Sequence, residues 1–236
     1  MTIRSARPDD ADFIAKTILP SQRGYRPRGW FDIALGWPEQ QCRDFIARIA
    51  TAQAVSMWHH QNFLIAECDD RPAAALCAVP AAGTGPAAWA AIAEVGAATG
   101  LTASELEAIR RRGAYVRDCW VQGGEGDWMI EHVATDPAYR GRGLVQALIG
   151  SALAKGRAAG FRRATISFLI GNAPAERAYA KAGFAFAEEK RDPAFEALIG
   201  APGLVVSTVT WVTGVAALAM AVQPKATNPS AVKEMA

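Results

Sequence analysis

Apolar positions along the chain recur with two periods, and the period sorts the chain into strands and helices. NFLIAECDD (62–70) and RPAAALCAV (71–79) are apolar runs around Asp69-Asp70-Arg71-Pro72, which predicts a hairpin. Residues 39–51 place Cys42, Phe45, Ile46 and Ile49 on one helical face. Upstream, a short strand in TIRSA precedes a turn at Arg7-Pro8-Asp9, and Asp9 or Asp10 caps a helix to about Leu19. Between them, 20–38 holds Pro20, Gly24, Pro27, Gly29, Gly36 and Pro38, and predicts a loop rich in arginine and aromatics. Residues 83–127 read as two helical pieces, the second capped by Thr102 or Ser104, before a glycine-rich turn at QGGEGD.

From there the alternation is regular. DWMIEHVAT (127–135) predicts a strand. LVQALIGSALAKGRAAG (144–160) predicts a helix with Leu144, Val145, Leu148, Ile149, Ala152 and Leu153 inward and Gly160 as its stop. ATISFLI (164–170) is a strand, PAERAYAKAG (174–183) a short helix with Pro174 in its first turn, and FAFAEEKR (184–191) a strand. Ala197 to Pro224 carries no Asp, Glu, Lys or Arg, a length sufficient to span a bilayer. Gly200, Pro202, Gly203 and Gly214 interrupt it, however, and LVVSTVTWV (204–212) is β-branched. Only VTGVAALAMAV (212–222) remains as an apolar helix, too short to cross. We therefore expect one domain over 1–211 and an apolar, then frayed, tail over 212–236, rather than a membrane segment. An added apolar strand also suits edge pairing in a homodimer.

Composition narrows the class. The chain has 236 residues, 51% hydrophobic and 20% charged, with a net charge of +2. That is a globular balance with no general pull toward nucleic acid. Cys42, Cys68, Cys77 and Cys119 show neither a CxxC pair nor zinc spacing, so free thiols in a reducing cytoplasm are expected, and no metal. MTIRSARPDDAD has no apolar signal region.

The candidate chemistry lies in DPAYRGRGL (136–144). Two arginines alternate with two glycines between a strand and a helix. Free N–H groups and the positive end of the dipole sit at a helix N-terminus, glycine lets a ligand approach the backbone, and guanidinium adds charge. The combination suits a phosphate or pyrophosphate. It is not a Walker A loop, since GxxxxGK[ST] is missing, nor a dinucleotide GxGxxG, since Gln146 stands where the third glycine would be.

Two pieces of the chain resemble the GNAT N-acetyltransferases. HVATDPAYRGRGLVQALI (132–149) resembles that family's strand, pyrophosphate loop and following helix. NAPAERAYAKAGF (172–184) resembles its Asn-x-x-A-x-x-x-Tyr-x-Lys-x-Gly-Phe stretch. The likeness is sharp from about Trp128 to Phe186, looser over 1–80, and weak over 83–126 and after about 205. The family loop, [RQ]xxGx[GA], fits in neither register without a change: ending on Gly143 it begins at Ala138, and starting from Arg140 it ends on Val145.

The resemblance implies a mixed, mostly antiparallel twisted sheet of about six or seven strands with helices on both faces, an α/β (α+β) fold. It implies acetyl-CoA as cosubstrate and an amine acceptor. The main chain of Val133, Ala134 and Thr135 would pair with the pantetheine. Arg140, Gly141, Arg142, Gly143, Leu144 and Val145 would hold the pyrophosphate, with Asn172 and Ala175 also at the cofactor. Tyr179 would protonate the departing thiolate, as a largely protonated phenol can at neutral pH. On the strand, alternation puts Met129 and Glu131 on the face of Val133 and His132 on the other. Glu131 is then the candidate base, directly or through water, and a water chain is the alternative. The implied mechanism is direct transfer in a ternary complex, with a strand amide on the oxyanion.

The acceptor is open: small amine, amino-acid derivative, antibiotic or protein N-terminus. Tyr25, Trp30, Phe31 and Trp37 would line an apolar pocket, and Asp32 and Glu39 would attract an ammonium. Two other readings stand beside the transferase: an acyl-CoA-binding sensor without turnover, and a membrane-tethered or interaction protein using the tail.

Overall fold

The structure is a computed structural model that describes residues 1–120, 124 and 126–211. The expected tail over 212–236 and half of the QGGEGD turn lie outside the described residues. In chain order the elements are β1 (Thr2–Ser5), α1 (Ala11–Arg23), α2 (Trp30–Leu35), α3 (Glu39–Ile49), β2 (Phe63–Cys68), β3 (Arg71–Pro80), α4 (Thr84–Ala98) and α5 (Ala103–Arg112). Then come β4 (Asp127–Thr135), α6 (Leu144–Ala158), β5 (Arg163–Leu169), α7 (Ala173–Lys181), β6 (Ala185–Arg191), α8 (Pro193–Ile199) and β7 (Gly203–Thr210).

The strands form one open sheet in the order β1-β2-β3-β4-β5-β7-β6. Neighbours are antiparallel except β4 and β5, which are parallel and joined through α6. The fold is thus the mixed, mostly antiparallel sheet expected from the sequence, with helices on both faces.

Strand periodicity assigns side chains to the two faces. Phe63, Ile65, Ala75, Cys77, Val79 and Met129 point into a core shared with α1, α2, α3, α4 and α5. The intervening Leu64, Ala66, Leu76, Ala78, Trp128 and Ile130 point to the other side, against Leu148, Ile149 and Ala152 of α6 and Tyr179 of α7. Full burial of side chains such as Leu148 and Ile149 contributes about 1.5–3 kcal/mol each.

Two helices depart from the sequence expectation. The loop expected over 20–38 contains the end of α1, which runs through Pro20 to Arg23, and all of α2. WFDIAL buries Phe31, Ile33, Ala34 and Leu35, and Gly36 ends it at φ +71°. Six residues flanked by glycines are too few for a period to show. α8 runs into the start of the uncharged segment, with its last three residues inside it. Its signals were present: Asp192 Oδ1 accepts from Phe195 N–H at 2.7 Å, Pro193 opens the first turn, and Gly200 closes it at φ +79°.

α6 rests on β4 through a close contact. Trp128 Nε1–H donates to Ala152 O at 2.9 Å. A Cβ at Gly156 would lie 2.6 Å from the Trp128 ring, whereas Gly150, exposed on the same helix, has no neighbour within 4 Å. Gly156→Ala is therefore expected to lower stability by about 1–3 kcal/mol through overpacking, against its helix propensity. Gly150→Ala is expected to raise stability by about 0.5–1 kcal/mol. Urea unfolding of the two variants checks both signs.

Candidate active site

The site begins where one pairing stops. β4 and β5 are in register only from Asp127↔Arg163 to Ile130↔Ile166, although β4 continues to Thr135 and β5 to Leu169. The paired ends are clamped by Asp127, which is buried and accepts from Arg163 Nε at 2.6 Å and Nη2 at 2.7 Å. Beyond Ile130 the two strands separate, and a cleft of about 1350 Å³ lies between them. Residues from both faces of the sheet line it.

On β4 a bulge sits at the opening. Ala75 pairs with Ala134 and Cys77 with Glu131, so His132 and Val133 together oppose Leu76. His132 adopts φ +54°, the left-handed region that a β-carbon disfavours. This corrects the strand alternation expected from the sequence. Met129 and Val133, expected on one face, lie on opposite ones: Val133 packs on the α6 side of the sheet, while Met129 points into the other core. His132, on the face away from Val133 as expected, turns to that side against Trp58 and Phe63.

His132 is held at both nitrogens. Trp58 Nε1–H donates to Nε2 at 3.0 Å, which leaves the proton on Nδ1, 3.4 Å from Ser21 Oγ. Burial pushes the imidazole down to about 3, so the ring stays neutral. The adjacent Glu131 shifts the opposite way. Burial raises its carboxyl to about 7, although Ser167 Oγ–H donates to Oε1 at 2.7 Å and favours the ionised form. Ser167 was not singled out in the sequence; its signal was one of two hydroxyls, with Thr165, in the otherwise apolar run ATISFLI.

Opposite lies the loop that opens α6. Asp136 Oδ1 accepts from Ala138 N–H at 2.9 Å and starts a 3₁₀ turn over Pro137–Tyr139. Gly141 and Gly143 follow at φ +77° and +74°, conformations that glycine adopts without strain. The first bond of the helix runs from Ala147 N–H to Gly143 O, leaving the amides of its first turn without an intrahelical acceptor. Val145 lies in that turn; its side chain packs half-buried on the core, and its amide is one of these free groups. Arg140 and Arg142 are exposed beside the cleft, the latter over the Tyr139 ring at 5.1 Å.

α7 supplies the third wall. Asn172 is its N-cap, accepting from Ala175 N–H at 3.3 Å, and both residues line the cleft. Two turns on, Tyr179 is buried edge-on to Phe168 at 5.5 Å. Burial, with Glu131 nearby, pushes its phenol pKa well up, so it stays protonated. The cleft thus brings together the residues the sequence pointed to for the cofactor and the chemistry: Glu131, Val133, Ala134, Thr135, Arg140 through Val145, Asn172, Ala175 and Tyr179.

The expected acceptor residues divide. Tyr25 and Trp30 line the cleft, but Phe31 is in the core and Trp37 packs edge-on to Phe45. Asp32 and Glu39 are both held by Arg23, at 2.6 and 2.7 Å, and this corrects their reading as ammonium attractors. The described residues include no group of three or more His, Cys, Asp or Glu placed to hold a metal ion, and no helix long and apolar enough to cross a membrane.

Solved structures show the same fold. An acetyltransferase superposes with a TM-score of 0.66 at 20% identity, over 90% of this chain and 100% of its own. An N-acetyltransferase from Staphylococcus aureus Mu50 gives 0.63 at 22%, over 89% and 100%. The ribosomal-protein-S18-alanine N-acetyltransferase from Escherichia coli gives 0.50 at 15%, over 90% and 96%. No curated protein matches the sequence. The model of the Acetyltransferase (GNAT) family matches residues 28–184, most of the chain and the whole of β4 through α7. With strand, glycine loop and helix in that family's order around one cleft, the chain belongs to the GNAT acetyltransferase family and is an acyltransferase.

Proposed function

We propose that the protein transfers the acetyl group of acetyl-CoA to the nitrogen of an amine in a ternary complex. The observation that carries this reading is the opening between β4 and β5, with free helix amides on one side and Glu131 on the other. In the proposed complex the pantetheine runs along the main chain of Val133, Ala134 and Thr135. The pyrophosphate sits on the amides of Gly141 through Val145 beside Arg140 and Arg142, with Asn172 and Ala175 at the cofactor's edge.

The amine nitrogen attacks the thioester carbonyl, and its proton passes to the Glu131 carboxylate, directly or through water. A β4 amide stabilises the oxyanion. The tetrahedral intermediate collapses with cleavage of C–S, and the thiolate takes a proton from Tyr179 O–H. A carboxyl poised at about 7 suits a base working near neutrality, and a phenol that stays protonated suits the acid.

Saturating acetyl-CoA, at 100 times its dissociation constant, is expected to add about 2.7 kcal/mol of stability in thermal unfolding, while NAD and ATP add none. Tyr179→Phe should retain that shift and lose about a hundredfold in kcat; an unchanged rate would remove the assigned role.

The pH dependence tests Glu131. The rate should rise with pH through about 7, and Ser167→Ala should move that limb to higher pH, because the lost donor favoured the ionised form. Stability gives an independent check. The folded carboxyl holds its proton up to about 7 and the unfolded one only to the ordinary 4.5. The folded state therefore binds more protons in that window and loses stability as pH rises through it. Glu131→Gln should remove this loss, read as a stability difference from the parent that widens between pH 5 and 8.

A further inference from the structure

The cleft continues through the sheet. On the side away from α6, its wall is built from Trp30, Met57, Trp58, Trp89 and Trp120. Two of these rings offer carbon rather than donors: Trp30 Nε1–H is spent on Gly113 O at 2.9 Å and Trp58 Nε1–H on His132, and the two indoles stack at 5.8 Å. Such a wall takes a flat apolar body.

Charge decides what else that body carries. Of the acids expected here, Asp32 is paired with Arg23, and Glu39 with Arg23 and Arg43. Apart from Glu131 at the opening, the described carboxylate on the wall is Glu188, which shares a face of β6 with Lys190. Lys190 Nζ lies 3.5 Å from Trp120 O. Arg117 lines both the cleft and an adjoining cavity of about 520 Å³, and Arg110 caps the Trp89 ring at 4.7 Å. Among the described residues Arg117 makes no ion pair. The wall is therefore aromatic with a cationic rim.

Resting on the acetyl-transfer reading, we infer that the acceptor is an aromatic amino acid or close analogue: one primary amine at Glu131, an aromatic body against the tryptophans, and a carboxylate toward Arg117. Tryptophan faces also attract cations. Here Arg110 already covers one of them, and Arg117 and Lys190 repel a polycation.

The test follows thiol release from acetyl-CoA with tryptophan, phenylalanine, their decarboxylated amines, spermidine and kanamycin, after acetyl-CoA binding has been read by thermal shift. Tryptophan or phenylalanine should exceed its decarboxylated amine in kcat/KM by about tenfold, the worth of one charge-assisted contact, and should exceed spermidine and kanamycin by more. In Arg117→Ala that ratio should collapse toward unity; as a ratio within one protein, it does not depend on the folded fraction. Preference for spermidine or kanamycin, or an equal rate with and without the carboxylate, overturns the proposal. So does acetyl-CoA binding with no transfer to either amino acid, which leaves the cofactor reading standing. A protein that acetyl-CoA does not stabilise overturns the transferase reading first, and this one with it.

Discussion

The site depends on how soon β4 and β5 stop pairing. Two parallel strands held over their full length would close the sheet and leave no room between them. Here Asp127 and Arg163 fix the register at one end, and four residue pairs later the His132 bulge turns β4 aside. A left-handed conformation at a non-glycine residue costs of order 1 kcal/mol or more. The indole of Trp58 and the stack on Phe63 hold the side chain in that position. The backbone amides and carbonyls that lose their β5 partners thereby become the wall of a cleft.

The same bulge separates two neighbouring titratable groups by environment. Burial disfavours whichever form is charged, so it raises a carboxyl and lowers an imidazole. Glu131 and His132, adjacent in sequence, are pushed apart in this way, one toward neutrality and the other far below it. The histidine's nitrogens are committed to Trp58 and Ser21, and it works as packing. The glutamate keeps one short bond, from Ser167 across the opening.

What the sequence revealed and what it hid follow from range. The loop over Arg140–Val145 was legible because positive φ at two positions writes itself as glycine, and the helix behind it as a regular apolar stripe. The strands flanking the opening were legible as apolar runs. The bulge was not, since nothing in the letters marks His132 as left-handed. Asp32 and Glu39 looked free because the arginine that claims them sits nine and sixteen residues away in sequence, at distances no period encodes. Ser167 acquires meaning only when β5 stands beside β4. The short helices α2 and α8 carry too few turns for a stripe, though α8 was announced by its caps.

The placement of β7 bears on how the chain is made. β7 lies between β5 and β6, although it follows both in sequence. As the polypeptide leaves the ribosome, β1 through β4 can pair with neighbours already synthesised. β5 then has β4 on one side for only four residues and an open edge on the other. That edge, and β6 entirely, must wait until residue 210 has emerged. The half of the sheet that frames the cleft is thus the last to assemble. Until then its unpaired backbone is the nascent chain's most exposed template for intermolecular pairing.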